Sequence, residues 1–209
     1  MELCPLCNTL SETFYTIKKK VWYQCPNCKG IFLERQYLPG KDEEITRYKE
    51  HNNDVNDPGY QKFTSPVVRA VLRNFLPENT GLDFGAGTGP VISKILKDKK
   101  FQIAQYDPFF HNNPVLLESK YDYIISCEVI EHFHRPAKEF ALLRSLLRHN
   151  GKLYCMTDIY REEIDFMTWY YKDDPTHVFF YMKETLIFIK ESFDFSRLEV
   201  SDRLIIFSD

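Results

Sequence analysis

"GLDFGAGTGPV", residues 81–91, decides the fold. An apolar run ending in Asp83 and Phe84 breaks into alternate glycines, Gly85, Gly87 and Gly89. Pro90 then opens a segment with helical spacing. Glycine tolerates positive φ and lets backbone approach a ligand closely. A helix starting right after such a turn aims its free N–H groups back over it. Strand, glycine turn and helix in that order predict a ligand cradle at the carboxyl end of a strand.

Outward from this turn, the chain alternates. "SPVVRAVLRNFL" (65–76) predicts a helix with Ser65 as N-cap and Pro66 at its first position. "TGLDF" (80–84) reads as a strand, "PVISKILKD" (90–98) as a helix, "FQIAQY" (101–106) and "YDYIISC" (121–127) as strands. "PAKEFALLRSLLRHN" (136–150) predicts a helix closing on Gly151, followed by the strand "GKLYCMT". "FSRLEV" and "RLIIF" are close enough to pair antiparallel at the end of the chain. The alternation predicts an α/β fold, a mostly parallel sheet covered by helices.

Asp107 follows the strand "FQIAQY" and stands eighteen residues after Gly89. An acid there can accept hydrogen bonds from ribose hydroxyls, so turn and acid together point to an adenosine-type cofactor. The glycine spacing is G-x-G-x-G rather than the dinucleotide G-x-G-x-x-G, and no phosphate-binding P-loop motif occurs. "DFGAGTG" with Asp107 and "CEVIEH" resembles the class I S-adenosylmethionine-dependent methyltransferases, over roughly residues 64–209. The resemblance implies a Rossmann-like sheet whose antiparallel strand comes at the C-terminal end. It also implies S-adenosylmethionine as cofactor, held by Asp83, Gly85, Ala86, Gly87, Gly89, Asp107, Cys127 and Glu128. One departure is visible: "PFFHNNPVLLESK" (108–120) is short for a strand–helix–strand passage, so the third strand is expected to be truncated. Phe109 or Phe110 could stack on an adenine ring, though packing is the commoner use of such residues.

Residues 1–38 form a second unit. Cys4, Cys7, Cys25 and Cys28 stand as C-x2-C-x17-C-x2-C around the hairpin-like "TFYTIKKKVWYQC". This spacing fits a four-cysteine Zn²⁺ site, which is closed and structural. So small a unit cannot bury a core by itself, and a metal would supply the missing folding energy. It resembles zinc ribbons appended to some ribosomal-RNA methyltransferases, where the ribbon helps to grip substrate. Lys18, Lys19, Lys20, Lys29 and Arg35 give it local positive charge, although solvated lysines on a hairpin are the commoner meaning.

Three stretches could carry the chemistry. In "YIISCEVIEHFHRP" (123–136), a helical turn from Val129 would set Glu128 and His132 one turn apart with Glu131 beside them. Such a set could hold Mg²⁺ or Mn²⁺, completed by His177. "EVIEH" resembles the metal-binding element of small-RNA 2′-O-methyltransferases and of ubiquinone-pathway O-methyltransferases. A plain cleft wall is the preferred reading. In "TWYYKDDPTHVFFYMKETL" (168–186), His177 is the leading candidate base, because an imidazole titrates near neutral pH. His132 and Tyr171 are further catalytic candidates, and a structural role bonded to loop backbone is the alternative for His177. In "RYKEHNNDVNDPGYQKF" (47–63), Arg47, Tyr48, His51, Asn52 and Tyr60 lie in a connector, residues 39–63, that reads as a linker or as a lid over the cofactor. A helix is expected through Glu43–His51, and His134 and Arg135 read as surface residues.

The bulk numbers bound the rest. The chain has 209 residues, 44% hydrophobic and 27% charged, which suits one globular domain with a small appendage. A net charge of -3 provides no global field for nucleic acid, so DNA is not an expected partner. No run of about 18 apolar residues occurs, so no membrane-spanning helix is expected. The N-terminus lacks a secretory pattern, and a cytoplasmic protein is expected. A small-molecule acceptor fits the acidic balance and the 15% aromatic content, whereas a structured RNA fits the ribbon lysines. A non-catalytic binding scaffold is the reading from a different class.

Overall fold

The computed structural model describes residues 1–50 and 53–209. In chain order, β1 (Glu2–Leu3), β2 (Leu10–Ile17), β3 (Lys20–Gln24) and β4 (Ile31–Leu33) form the N-terminal unit, and α1 (Lys41–Glu50) follows. Next come α2 (Pro58–Asn74), β5 (Thr80–Phe84), α3 (Val91–Asp98), β6 (Gln102–Tyr106), β7 (Tyr121–Cys127), α4 (Pro136–Leu146) and β8 (Leu147–Met156). β9 (Phe179–Phe180), α5 (Lys183–Ser192), β10 (Arg197–Ser201) and β11 (Leu204–Ser208) complete the fold.

The main sheet has the order β10-β11-β8-β7-β5-β6. β6, β5, β7 and β8 run parallel, and β11 enters antiparallel between β8 and β10. This is the mostly parallel α/β sheet expected from the sequence, antiparallel strand included. Period-two alternation decides which side chain meets which layer. Tyr123, Ile125, Tyr154 and Met156 pack with Val67, Val71, Ile92 and Leu96 of α2 and α3. Ile124, Leu153, Ile205 and Phe207 pack with Phe140, Leu143, Leu186 and Ile189 of α4 and α5 on the other face.

The N-terminal unit does not stand apart. Ile31 and Phe32 pair with Phe180 and Phe179, so β9 extends the ribbon's sheet to the order β1-β2-β3-β4-β9. Cys4, Leu6, Cys25, Cys28 and Phe32 bury in the same cluster as Phe140, Tyr181 and Phe207. The small unit thus borrows the core that its own length cannot supply.

Several local expectations are corrected. The helix expected from Ser65 begins at Pro58, with the Asp57 carboxylate accepting from Tyr60 N at 2.7 Å. Asp57 and Pro58 carry the same start signal as Ser65 and Pro66, eight residues earlier. Pro66 is accommodated inside the helix, and the boundary expected at residue 64 falls within it. The helix expected to close on Gly151 stops at Leu146, because Leu147 joins the sheet opposite Tyr121. Residues 148–151 bulge before Lys152 pairs with Tyr123, and Asn150 takes φ 62° there. The truncated third strand is replaced by a 3₁₀ turn at Pro114–Glu118, which leaves β6 at the sheet edge.

Candidate active site

The glycine turn behaves as its spacing requires. Gly85 and Gly87 have φ of 81° and 60°. A Cβ at Gly85 would lie 2.5 Å from Val129 Cγ2, whereas one at Gly87 would meet nothing within 4 Å. Open space in front of Gly87 is what a cradle needs. Asp107 is buried and braces the turn: Oδ2 accepts from Gly87 N at 3.0 Å, and Oδ1 accepts from Phe109 N and Phe110 N at 2.8 and 3.0 Å. Asp83 turns the other way, accepting from Ser93 Oγ of α3 at 2.6 Å, and burial raises its carboxyl to about 6. Ala86 is buried beside the turn, and its N–H donates to Tyr106 O at 3.1 Å.

The connector lies across this region. A Cβ at Gly89 would sit 1.9 Å from Asn53 O, so the chain passes directly over the turn. Tyr48 of α1 packs against Phe109 at 5.9 Å and edge-on against His132 at 5.2 Å. Arg47 donates from Nε and Nη2 to Asp174 Oδ2 at 3.0 and 2.9 Å. His134, expected at the surface, reaches Glu44 at 3.4 Å. These contacts fasten the connector to the strand-end loops. Tyr60 packs against the core from the first turn of α2, while His51 and Asn52 lie outside the described residues.

The strand ends β7 and β8 hold the ionisable cluster. Glu128 takes φ 53° and lies outside the 3₁₀ turn Ile130–His132. The helical face expected to unite Glu128, Glu131 and His132 therefore does not form. Glu131, His132 and His177 instead bring one ligand atom each within 4.8 Å of one another. His177 Nδ1–H donates to Tyr171 O at 2.6 Å, and His132 Nδ1–H donates to Thr176 O at 2.9 Å. A carbonyl only accepts, so the neutral His177 imidazole carries its lone pair on Nε2. His177 Nε2 lies 4.0 Å from Glu131 Oε1, and burial holds the His177 imidazole below its ordinary value.

Tyr171 joins the carboxylates. Its hydroxyl donates to Glu131 Oε1, lies 3.2 Å from Glu128 Oε2 and accepts from Thr157 Oγ1 at 3.0 Å. Burial and the two carboxylates push the phenol far up, so Tyr171 stays protonated and serves as a hydrogen-bond bridge. One phenolic proton cannot satisfy two carboxylates. Burial and Glu131 push Glu128 up to about 8, against the opposing pull of Arg203. Among the described residues, Glu128 Oε1 and Glu131 Oε2 are buried without a hydrogen-bond partner. Cys127, beside Glu128, is half-buried, and desolvation keeps it a neutral thiol.

Arg203 is the member of this cluster that sequence reading missed. Its Nη2 donates to Glu128 Oε2 at 2.5 Å, and its guanidinium sits 5.1 Å from the Tyr171 ring centroid. It lies in the turn of the β10–β11 hairpin, and no local motif marks it.

The four cysteines converge at the other end of the ribbon. Cys4 Sγ lies 3.6 Å from Cys28 Sγ, and Cys7 Sγ lies 3.2 Å from Cys25 Sγ. A tetrahedral Zn²⁺–thiolate site has edges of about 3.8 Å, so the donor set and its spacing fit such an ion. Cys4 is lowered to about 6 by its bond with Cys28, which supplies a thiolate for ligation.

A family model described as a methyltransferase domain matches residues 59–200. Among solved structures, a SAM-dependent methyltransferase from Archaeoglobus fulgidus shares 16% identity over 71% of this chain and 94% of that one, at TM-score 0.53. Human N-acetylserotonin methyltransferase in complex with SAM shares 11% over 81% of this chain, at TM-score 0.55. An O-methyltransferase family protein from Burkholderia thailandensis shares 11% over 83% of this chain, at TM-score 0.53. The chain spans only 56% and 64% of the human and Burkholderia proteins. At these identities the likeness is one of fold. No curated protein sequence matches the chain. Among the described residues no helix is long and apolar enough to cross a membrane.

Proposed function

Because the chain belongs to the methyltransferase-domain family, we propose that it transfers a methyl group from S-adenosylmethionine to an oxygen or nitrogen atom of a small molecule. The observation that carries this reading is the adjacency of two features. The open glycine turn at Gly87, braced by Asp107, is joined through the Gly85–Val129 contact to the turn carrying Glu131 and His132, where His177 Nε2 lies 4.0 Å from Glu131 Oε1. Asp107 would hold the ribose, and the open face of the turn at Gly87 would receive the amino-acid end of the cofactor. The bound sulfonium supplies an already activated methyl group. The chain's own task is to align a nucleophile, exclude water and accept one proton. His177 is neutral, buried and fixed in tautomer by Tyr171 O, so it suits the proton acceptor, with His132 beside it at 4.8 Å between ring centroids.

Calorimetry with S-adenosylmethionine, followed by transfer of labelled methyl into fractionated extract, tests the reading. H177A should bind cofactor as the wild type does and lose turnover by about 100-fold or more. Unchanged turnover removes His177 from the mechanism, and failure to bind cofactor overturns the enzyme reading in favour of a scaffold.

A second reading has its own observation. Glu128 Oε1 and Glu131 Oε2 are buried without a hydrogen-bond partner among the described residues, and Glu131, His132 and His177 each bring one ligand atom within 4.8 Å of the others. Glu131, His132 and His177 would hold a divalent ion such as Mg²⁺ or Mn²⁺, which stabilises a developing oxyanion. Added ions that change neither melting temperature nor activity would eliminate it. At the ribbon, Cys4, Cys7, Cys25 and Cys28 would hold structural Zn²⁺. Metal analysis should return one zinc per chain, and its removal should lower the melting temperature of the whole protein in one transition, since the core is shared. A zinc-free, fully stable protein would refute the assignment.

A further inference from the structure

A groove runs along the seam between the ribbon hairpin and the loop that carries His177. It encloses about 590 Å³, and a second hollow of about 380 Å³ adjoins it around Lys20, Tyr37 and Pro175. The first volume suits a small organic ligand. Trp22 and Tyr37 supply ring surface, Ile17 and Leu33 apolar surface, and His177 lies at the inner wall.

The charge on this groove is one-sided. Its two acids are already paired: Asp173 with Lys172 at 2.5 Å, and Asp174 with Arg47 at 2.9 Å. Lys18, Lys19 and Lys20 line the same groove, are exposed, and form no ion pair with a carboxylate among the described residues. The groove is therefore positive on a chain whose net charge is -3. The turn itself is also atypical. Ile17 pairs with Lys20 across a two-residue connection, and Lys18 takes φ 57°. Glycine or asparagine is the local choice there.

We propose that this groove receives the methyl acceptor and that the acceptor is an organic anion bearing a phosphate or carboxylate group. Lys18, Lys19 and Lys20 hold the charged end, the ring surface of Trp22 and Tyr37 carries the body, and the nucleophile reaches toward His177. The inference rests on the reading above that His177 marks the methyl-transfer centre. It gives the ribbon a substrate-facing role distinct from its metal site.

The probes are 4-nitrophenyl phosphate, 4-nitrobenzoate and the neutral 4-nitrophenyl glucoside, titrated into the full-length zinc-loaded protein by calorimetry and by quenching of tryptophan fluorescence. The variant is K18N/K19Q/K20Q, in which asparagine suits the positive φ. An anionic probe should bind at least about 10-fold more tightly than the glucoside and lose about 10-fold or more in the variant, as three exposed charge contacts allow. Cofactor affinity and melting temperature should be unchanged in the variant, and H177A should still bind the anionic probes. Equal binding of anionic and neutral probes, or full anion affinity in the variant, overturns the proposal. A protein that binds S-adenosylmethionine but methylates extract equally well with and without the three lysines also overturns it, while leaving the methyltransferase reading intact. If the cofactor fails to bind, that reading falls, and the anion titrations still decide the groove.

Discussion

Arg203 Nη2 donates to Glu128 Oε2 across 2.5 Å, joining the C-terminal hairpin to the strand end that carries the ionisable cluster. Both side chains are mostly buried, at 19% and 27% exposure. Replacing Arg203 with methionine keeps the stem and removes the charge. R203M should lose about 2 kcal/mol of stability, because the Glu128 carboxyl stays buried with its donor gone. R203K should recover part of that. Urea denaturation measures both, and equal stabilities would show that the pair contributes nothing.

Gly30 and Phe179 set the height of the His177 loop. A Cβ at residue 30 would lie 2.4 Å from Phe179 Cζ, a ring that is itself fully buried against Phe32 and Tyr181. G30A should cost about 1–3 kcal/mol and displace β9, two residues from His177. Turnover should fall while S-adenosylmethionine affinity holds. Loss of cofactor binding instead would place the damage at the glycine turn.

Gly87 and Gly89 face different neighbours, and their alanine variants should differ in kind. The Gly87 Cβ points into open space at φ 60°, so G87A should weaken cofactor binding and cost about 1–2 kcal/mol of backbone strain. The Gly89 Cβ meets Asn53 O, so G89A should lift the connector. Hydrogen exchange across residues 53–57 separates the two outcomes, rising in G89A alone.

Asp83 provides a pH signature. Burial raises it from 3.8 to about 6 in the fold. Between those values the folded state binds more protons than the unfolded chain, so this group's contribution falls as pH rises from about 4 to 6. D83N removes the dependence and keeps an oxygen for Ser93 Oγ. The stability of D83N relative to wild type should grow by about 2 kcal/mol from pH 4 to pH 7. Urea midpoints at the two pH values give the comparison, and a constant difference would contradict it.

What the sequence by itself determined is local. Positive φ at Gly85 and Gly87, the acid at Asp107 and the two C-x-x-C pairs follow from short-range rules: glycine's missing Cβ, the length of a strand–turn–helix unit, the reach of paired thiols. Where two equivalent local signals competed, as Asp57-Pro58 and Ser65-Pro66 did, sequence chose the wrong one, because only packing of α2 on β7 and β8 fixes how long that helix runs. The tertiary structure decided the rest. It kept Glu128 out of the turn that carries Glu131, brought Arg203 to it from 75 residues off, and paired β4 with β9 so that the ribbon and the His177 loop share one sheet. Such contacts depend on which buried surfaces find each other across the chain, and no short-range spacing encodes that.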